Sequence, residues 1–324
     1  MALIVAFGVA VVATPAAMWL AVRIGFVNEP GRLKVHERPI PYLGGAAVLL
    51  ALLGPVAVTR PSLLVALVPA ALLGLADDAI DVPPPARIGA EILIGLAAAW
   101  VAAPHNVGYA ALGVVVVLVL VNAVNFLDGL DGLAGSVAAL GAVGSFVVLS
   151  GWSATLALAL VGALAGFLVW NAPPAKVHLG DSGSYLIGTA VALLFLAAAP
   201  RDVPVVSAAF LFVGVPVADS AVAIVRRLRA HRPLMQGDRG HVYDQLVDRG
   251  WPAPRAVLAC AVVQAALTAI GIGVANLSAG AAVAVAALTV AVVGASALLA
   301  FTSPRAWPSG GRPHGADDHP EPAE

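Results

Sequence analysis

Asn125, Asp128 and Asp131 lie three residues apart in the segment NAVNFLDGLDGLAGS (residues 122–136), between two apolar stretches. If the helix that leads into this segment continues, side chains at that spacing share one face. Two carboxylates and an amide on one face suit a hard cation such as Mg²⁺, or a ligand rich in hydroxyl groups. The alternative is a turn in which Asn, Asp and Gly serve the backbone conformation alone.

A second acidic group, Asp77 and Asp78, ends an apolar run in GLADDAIDVPPPAR (residues 74–87). Because adjacent carboxylates repel each other, we expect a positive group nearby or a raised pKa for one of them. Arg87 is a candidate for neutralising part of this charge. The alternative is a solvated helix end, which is disfavoured because the C-terminus of a helix repels anions.

A third segment, WNAPPAKVHLGDSGSYLIG (residues 170–188), combines Lys176 and Asp181 with small residues. Lysine contacts phosphate as a point charge, and the N-terminus of the helix that follows would also attract phosphate. Ser182 or Ser184 is expected to cap that helix. Helix capping alone is the alternative role for Asp181.

Two basic segments complete the set of polar motifs. Lys34 lies in GRLKVHERPIPYLGG (residues 31–45), and RRLRAHRPLMQGDRGHVYDQL (residues 226–246) is the most basic stretch of the chain. Both segments could be anchors on the cytoplasmic side of a membrane. Such an anchor does not explain the polar residues at the end of the second segment, which are Asp238, Arg239, His241, Tyr243 and Asp244.

The composition places these motifs in a membrane protein. Hydrophobic residues make up 60% of the 324 residues, charged residues only 11%, and the mean hydropathy is +0.96. A span needs about 20 apolar residues. The net charge of −1 offers no basic surface for nucleic acid. We predict an all-α polytopic fold with about eleven spans, ten being the alternative: 2–22, 42–59, 61–76, 88–103, 108–124, 134–150, 153–170, 185–199, 204–225, 254–275 and 279–302.

The connections between these runs indicate an orientation. Basic residues concentrate in the connections after the odd-numbered runs, and only Arg60 and Arg201 lie in the others. Loops rich in Lys and Arg stay in the cytoplasm, so we expect the N-terminus outside and the C-terminus inside. Residues 1–302 form the predicted transmembrane domain. Residues 303–324, rich in Pro, Gly and charge, form a predicted disordered cytoplasmic tail.

All the acidic and basic motifs therefore converge on one membrane face. Carboxylate clusters at span ends commonly bind a cation, a substrate or a proton. A Mg²⁺-type oxygen site beside phosphate-binding cations is the arrangement that phosphoryl transfer needs. We predict such a transfer between a water-soluble donor and a lipid.

In this order and spacing, NAVNFLDGLDGLAG, GLADDAID and NAPPAKVHLGDSGS resemble the polyprenyl-phosphate N-acetylhexosamine-1-phosphate transferases, over about residues 23–255. The resemblance implies ten or eleven helices in the plasma membrane and an active site on the cytoplasmic face. It implies the transfer of a sugar-1-phosphate from a UDP-sugar, most commonly a UDP-N-acetylhexosamine, to a polyprenyl phosphate, with UMP as product. The implied cofactor is Mg²⁺, or Mn²⁺, and the implied pathway is the synthesis of cell-wall or surface glycans.

By the same resemblance, Asp181 and Asn125 would bind the metal, and Asp77, Asp78 and His241 would be catalytic. The nucleotide and diphosphate would meet Lys34, Asn125, Asp128, Asp131, Lys176 and His178. A loop that recognises the sugar would contain Asp238, Arg239, His241 and Tyr243.

Two positions depart from the family's pattern. The family commonly has a His-x-His-His run where this chain has His241, Val242, Tyr243 and Asp244. That loop is associated with the sugar, so the identity of the sugar stays open, and a pentapeptide-linked sugar is disfavoured. The position three residues before Asp181 commonly carries an aromatic residue that stacks on uracil, and here it is His178.

Two other functions fit parts of the pattern. A cation-coupled transporter would also place acids in a membrane, although transport sites lie near the midplane of the bilayer. A CDP-alcohol phosphatidyltransferase-like enzyme would need an arginine after the Asp-Gly pair, and DGLDGLAGS has none. We expect polyprenyl phosphate and a UDP-sugar as partners and no nucleic acid, and a homodimer stays open.

Overall fold

The computed structural model describes residues 1–28, 39–103, 106–232 and 240–302. Within these ranges the protein is all-α apart from one short ribbon. The helices are α1 (Ala2–Ile24), α2 (Gly44–Thr59), α3 (Leu64–Ile80, preceded by a 3₁₀ turn at Pro61–Leu63), α4 (Pro84–Ala102), α5 (Val107–Leu127), α6 (Leu133–Val148), α7 (Trp152–Asn171), α8 (Gly180–Ala198), α9 (Val203–Phe212), α10 (Gly214–Arg229), α11 (Val242–Asp248), α12 (Ala253–Val274) and α13 (Ala279–Phe301).

The predicted polytopic membrane fold is confirmed. In the described ranges, eight helices are long and apolar enough to cross a bilayer, and the bent pair α9–α10 makes a ninth candidate. The two shorter apolar helices, α2 and α6, have 16 residues each. All eleven predicted runs correspond to these helices, although the exact number of spans and their orientation stay predictions. The predicted tail, residues 303–324, lies outside the described residues.

Helix α8 is the centre of the bundle. It is the most enclosed of the spanning helices, because 89% of its apolar stretch is buried, and it packs against α2, α3, α4 and α5. Glycines make these crossings close: a methyl group on Gly45 of α2 would lie 2.2 Å from the Gly183 nitrogen of α8. A methyl group on Gly188 of α8 would lie 2.6 Å from the Val121 Cα of α5. Any displacement of α8 must therefore move its neighbours.

A two-stranded antiparallel ribbon connects the first two helices to the start of α8. Its strands are β1 (Val27–Asn28) and β2 (Ile40–Pro41). The backbone of Pro41 accepts a hydrogen bond from the His178 nitrogen at 2.9 Å. The Gly44 nitrogen in turn donates to the His178 carbonyl at 3.1 Å. The ribbon is thus bound to the segment that leads into α8.

The predicted span 204–225 is broken rather than continuous. Helices α9 and α10 meet at an angle of 63° around Val213. Pro216 explains the break, because a proline ring clashes with the carbonyl four residues earlier, here that of Phe212. Gln264 of α12 bonds the freed groups: its amide nitrogen donates to the Phe212 carbonyl at 3.2 Å, and its oxygen accepts from the Val215 nitrogen at 3.1 Å. Irregular backbone inside a membrane needs such partners.

Candidate active site

Asp78 joins two helices at the centre of the site. It lies in the last turn of α3, and its two carboxylate oxygens accept hydrogen bonds from the backbone nitrogens of Asp181 (2.9 Å) and Ser182 (3.1 Å) at the start of α8. These N–H groups have no partner within α8, and they form the positive end of the helix dipole. The positive group expected beside the acidic pair is therefore partly backbone. The serine cap predicted for α8 is wrong, because the hydroxyls of Ser182 and Ser184 donate instead to the carbonyls of Ala71 and Asp181.

The two helices touch at a glycine of α3. A methyl group on Gly74 would lie 2.1 Å from the carbonyl oxygen of Asp181. On the other side of the contact, Gly180 has φ +73°, and a methyl group there would lie 2.8 Å from Asp78 Oδ2. Both glycines are needed for Asp78 to reach the amides of α8.

We expect Gly74→Ala to lower turnover about 10-fold or more although it removes no polar group. The added methyl group must push α8 away from α3, and overpacking of this kind costs about 1–3 kcal/mol. Turnover and melting temperature of the purified protein measure the effect. Gly54→Ala in α2 is the matched control, because a methyl group there meets no atom within 4 Å. Equal activity of the two variants would contradict the close contact.

Asp181 lies in the first turn of α8, where it meets the end of α5. Its Oδ1 accepts a hydrogen bond from Asn125 Nδ2 at 2.7 Å. The same amide donates to the Ser184 hydroxyl at 3.1 Å. Asp78, Asn125 and Asp181 thus come together from three helices, as the sequence predicted.

Asp128 and Asp131 follow the end of α5 rather than continuing it. Because α5 ends at Leu127, the shared helix face predicted for Asn125, Asp128 and Asp131 is wrong. Asp131 instead accepts a hydrogen bond from the Ala175 nitrogen at 2.8 Å, which fixes the turn beside the α7–α8 connection. Burial and the carboxylates of Asp181, Asp78 and Asp131 raise the pKa of Asp128 well above its ordinary value.

A group of polar residues on α3, α4, α5 and α8 surrounds the other member of the acidic pair, Asp77. Buried Asp77 accepts a hydrogen bond from the Tyr185 hydroxyl at 2.5 Å and lies 3.5 Å from Arg87 Nη1. Arg87 Nε lies 3.9 Å from Oε1 of the fully buried Glu91. Oε2 of Glu91 accepts a hydrogen bond from Asn122 Nδ2 at 2.8 Å. Arg87 thus neutralises part of the acidic charge through Asp77, as expected, and Glu91, itself bonded to Asn122, lies on the other side of Arg87.

The aromatic side of the site is formed by the ribbon and the segment before α8. His178 Nδ1 lies 3.2 Å from Asn28 Nδ2, and its Nε2 lies 3.9 Å from Asp131 Oδ1. The ring of Tyr42 meets the edge of the His178 ring at a centroid distance of 5.7 Å. Lys176 is exposed, with its ammonium 5.3 Å from the centre of the Trp170 ring. It contacts none of the acids in the described part of the chain.

The predicted sugar loop returns to the end of α5. His241 is buried, and its Nδ1 lies 2.7 Å from Oδ2 of Asp219 in α10. The Tyr243 hydroxyl donates to the Phe126 carbonyl at 2.8 Å, and its ring stacks on that of His241. These contacts place the loop directly beside Asn125. Lys34, Asp238 and Arg239, also predicted site residues, lie outside the described residues.

The donor set fits a hydrated divalent cation rather than an enclosed metal. In the described ranges no three acidic, histidine or cysteine side chains converge closely enough to enclose an ion. Mg²⁺ commonly keeps several waters and binds one or two carboxylates together with substrate phosphates. Asp181 Oδ2 and the Asp128 carboxylate have no hydrogen-bond partner among the described residues. A cation there would relieve the repulsion that, after burial, raises the pKa of Asp128.

Glu91, Asn122 and Tyr185 were not predicted as site residues. Glu91 carried a usable signal, because an acid inside an apolar run is by default a candidate for function. Asn122 carried a weaker signal of the same kind, because it also lies in an apolar run. Tyr185 carried none, since it is an ordinary helix residue until the facing helix is known.

The chain is similar to known proteins over most of its length. Residues 61–199 match the model of glycosyl transferase family 4. The decaprenyl-phosphate N-acetylglucosaminephosphotransferase of Mycobacterium tuberculosis is 30% identical over 306 residues, covering 76% of this chain and 75% of that protein. A probable undecaprenyl-phosphate N-acetylglucosaminyl 1-phosphate transferase of Bacillus subtilis is 28% identical, covering 77% of each chain. The undecaprenyl-phosphate alpha-N-acetylglucosaminyl 1-phosphate transferase of Haemophilus influenzae is 28% identical, covering 82% of this chain and 83% of that protein.

The helices that match the family model, from the 3₁₀ turn before α3 to the end of α8, are those that bring Asp78, Asn125 and Asp181 together. The predicted resemblance is confirmed by the matched segment, by the relatives and by the all-α membrane fold. The chain belongs to glycosyl transferase family 4, among the enzymes that transfer N-acetylhexosamine phosphates to polyprenyl phosphates.

Proposed function

We propose that this protein transfers N-acetylglucosamine-1-phosphate, or a related sugar-1-phosphate, from a UDP-sugar to a polyprenyl phosphate with the help of Mg²⁺. The observation that carries the proposal is the convergence of Asp78, Asn125 and Asp181 at one end of three packed helices. The names of the relatives support the polyprenyl phosphate acceptor and the N-acetylglucosamine unit.

The reaction forms one phosphorus–oxygen bond and breaks one. An oxygen of the lipid phosphate attacks the phosphorus that bears the sugar. The bond from that phosphorus to the bridging oxygen breaks, and the electron pair leaves with UMP. A bound Mg²⁺, or Mn²⁺, would neutralise charge on the diphosphate. The lipid phosphate is largely ionised near neutral pH, so its attack needs positioning more than it needs a base.

In this proposal the acidic pair of α3, Asp77 and Asp78, serves to position neighbouring groups rather than to deprotonate the lipid phosphate. Both oxygens of Asp78 already accept backbone hydrogen bonds, and Asp77 is bonded to Tyr185 and the Val82 nitrogen. These hydrogen bonds hold both carboxylates in fixed orientations. Arg87, held by Asp77 and Glu91, places a positive charge beside the acids, where a lipid phosphate would dock. Asp181 and Asn125 are the residues that would hold the cation.

The other predicted residues divide between the nucleotide and the sugar. Asp128, Asp131 and His178 face the ribbon side, and we assign them to the nucleotide and its diphosphate together with Lys34 and Lys176. His241 and Tyr243, with Asp238 and Arg239, are assigned to the sugar, because their loop is bonded to the end of α5 beside Asn125. The excess of basic residues in the connections on this side supports a cytoplasmic location at the plasma membrane.

The two alternative functions receive no support. A transporter would hold its acids near the midplane of the membrane, whereas Asp78, Asn125 and Asp181 lie at helix ends. The family assignment disfavours a CDP-alcohol phosphatidyltransferase-like enzyme.

We expect purified full-length protein to release UMP only when a UDP-sugar, a polyprenyl phosphate and Mg²⁺ are all present. The assay offers UDP-N-acetylglucosamine, UDP-N-acetylgalactosamine and UDP-glucose in turn, with UMP as the readout, and a chelator replaces the cation in the control. UMP release without the lipid would indicate hydrolysis and contradict the proposal. So would the absence of UMP with every sugar.

A further inference from the structure

Tyr42 lies on the aromatic side of the site, next to the ribbon. It follows β2, and its backbone nitrogen donates to the Phe26 carbonyl at 3.2 Å. Its ring meets the edges of two other rings, Phe26 at 6.5 Å and His178 at 5.7 Å between centroids. The ring is thus held on both sides. In the part of the chain that the structure describes, its hydroxyl has no hydrogen-bond partner.

The Tyr42 ring lies against the start of α8. A methyl group on Gly180 would be 3.1 Å from Tyr42 Cδ1 and 2.8 Å from Asp78 Oδ2, so the ring and that carboxylate flank the same backbone atom. Burial, followed by the carboxylates of Asp78, Asp128 and Asp181, raises the pKa of the Tyr42 hydroxyl above its ordinary value. The hydroxyl therefore keeps its proton and remains a donor. This half-buried hydroxyl lies among acids but bonds none of them in the described residues. Such a donor suits the anion of a bound ligand.

Three phosphates take part in the proposed reaction, and only the nucleoside-linked one gains negative charge. The nucleoside-linked phosphate becomes more negative as UMP departs, whereas the attacking lipid phosphate loses charge. A donor aimed at the departing phosphate stabilises the transition state more than the bound substrate. Tyr42 lies between His178 on the nucleotide side and the Asp78–Asp181 contact, where that phosphate would lie.

We propose that the Tyr42 hydroxyl donates a hydrogen bond to the nucleoside-linked phosphate of the sugar donor and stabilises UMP as it leaves. This assignment rests on the proposed function and adds a catalytic residue to it. It assigns the hydroxyl to the nucleotide phosphate rather than to the phosphate of the lipid.

Tyr42→Phe removes the hydroxyl and keeps both ring contacts. With purified full-length protein, we expect kcat to fall about 10- to 100-fold, the loss typical of a hydrogen bond to a charged group. The inhibition constant of UMP should rise about tenfold, while the KM for polyprenyl phosphate stays within about twofold of wild type. Gel filtration checks that the variant is folded. Tyr109→Phe is the matched control, because its buried hydroxyl also has no partner among the described residues but lies in the first turn of α5, far from Asn125.

Three results would overturn the assignment. One is a Tyr42→Phe variant with unchanged kcat and unchanged UMP inhibition. The second is a raised KM for polyprenyl phosphate with unchanged UMP inhibition, which would give the hydroxyl to the lipid phosphate. The third is an equal loss of activity in Tyr109→Phe. Failure of the proposed function itself is distinguishable, because the wild-type protein would then release no UMP.

Discussion

Asp181→Asn is expected to reduce kcat about 1,000-fold or more while the protein remains folded. The substitution keeps an oxygen that can accept the hydrogen bond from Asn125, so the packing of α5 on α8 survives. It removes the negative charge that would hold the cation. Turnover measured over a range of Mg²⁺ concentrations should show a higher Mg²⁺ requirement as well as a lower maximum.

Asp202→Asn is the matched control for this variant. Like Asp181, Asp202 lies at the start of a helix. Its carboxylate caps α9 by accepting a hydrogen bond from the Val205 nitrogen. Asparagine caps helices as well as aspartate does, so neither turnover nor stability should change much. Near-normal turnover of Asp181→Asn would contradict the assignment of Asp181 to the metal.

Asp78→Asn is expected to lower both stability and activity. An asparagine presents one oxygen and one NH₂ group to the two amides of α8, so one amide loses its acceptor and faces another donor. Leaving such a group unsatisfied costs about 1–3 kcal/mol, which should appear as a lower melting temperature. Turnover should fall about 100-fold, because Asp181 lies on the turn that Asp78 holds.

The two measurements separate two roles for Asp78. A carboxylate that served only the lipid phosphate would change the KM for polyprenyl phosphate and leave the melting temperature unaltered. Asp81→Asn controls for the charge, since Asp81 is exposed and its φ of +53° suits asparagine equally well. A normal melting temperature for Asp78→Asn would contradict its role at the start of α8.

The helices were largely predictable because each is a long apolar run between breakers. The run 108–124, for example, corresponds to Val107–Leu127. The predicted helix boundaries that were wrong are those next to the site. Helix α3 continues past 76 through the acidic pair, and α8 begins at Gly180 rather than at 185. Polar residues end an apolar run in a hydropathy profile, but here they are helical. Asp78 bonds the backbone amides of α8, and Asp77 bonds the Tyr185 hydroxyl.

The site was predictable as a set of residue types and less so as a geometry. Asp77, Asp78, Asn125 and Asp181 could be identified from their spacing and from the resemblance. The bond from Asp78 to the α8 amides could not be, because it joins residues 103 positions apart. The same holds for the contact between Glu91 and Asn122, which depends on how α4 packs on α5. Local patterns carry no information on which helices become neighbours.

The capping of α8 by Asp78 also bears on how the protein matures. The start of α8 has no acceptor of its own and takes one from a helix synthesised about a hundred residues earlier. During biosynthesis α3 enters the bilayer first, and its carboxylate has no amides to bind until α8 arrives. The site is therefore assembled only when α3 and α8 pack together. A chain in which α3 and α8 failed to dock would lack the arrangement of Asp78 and Asp181 on which the proposed transfer depends.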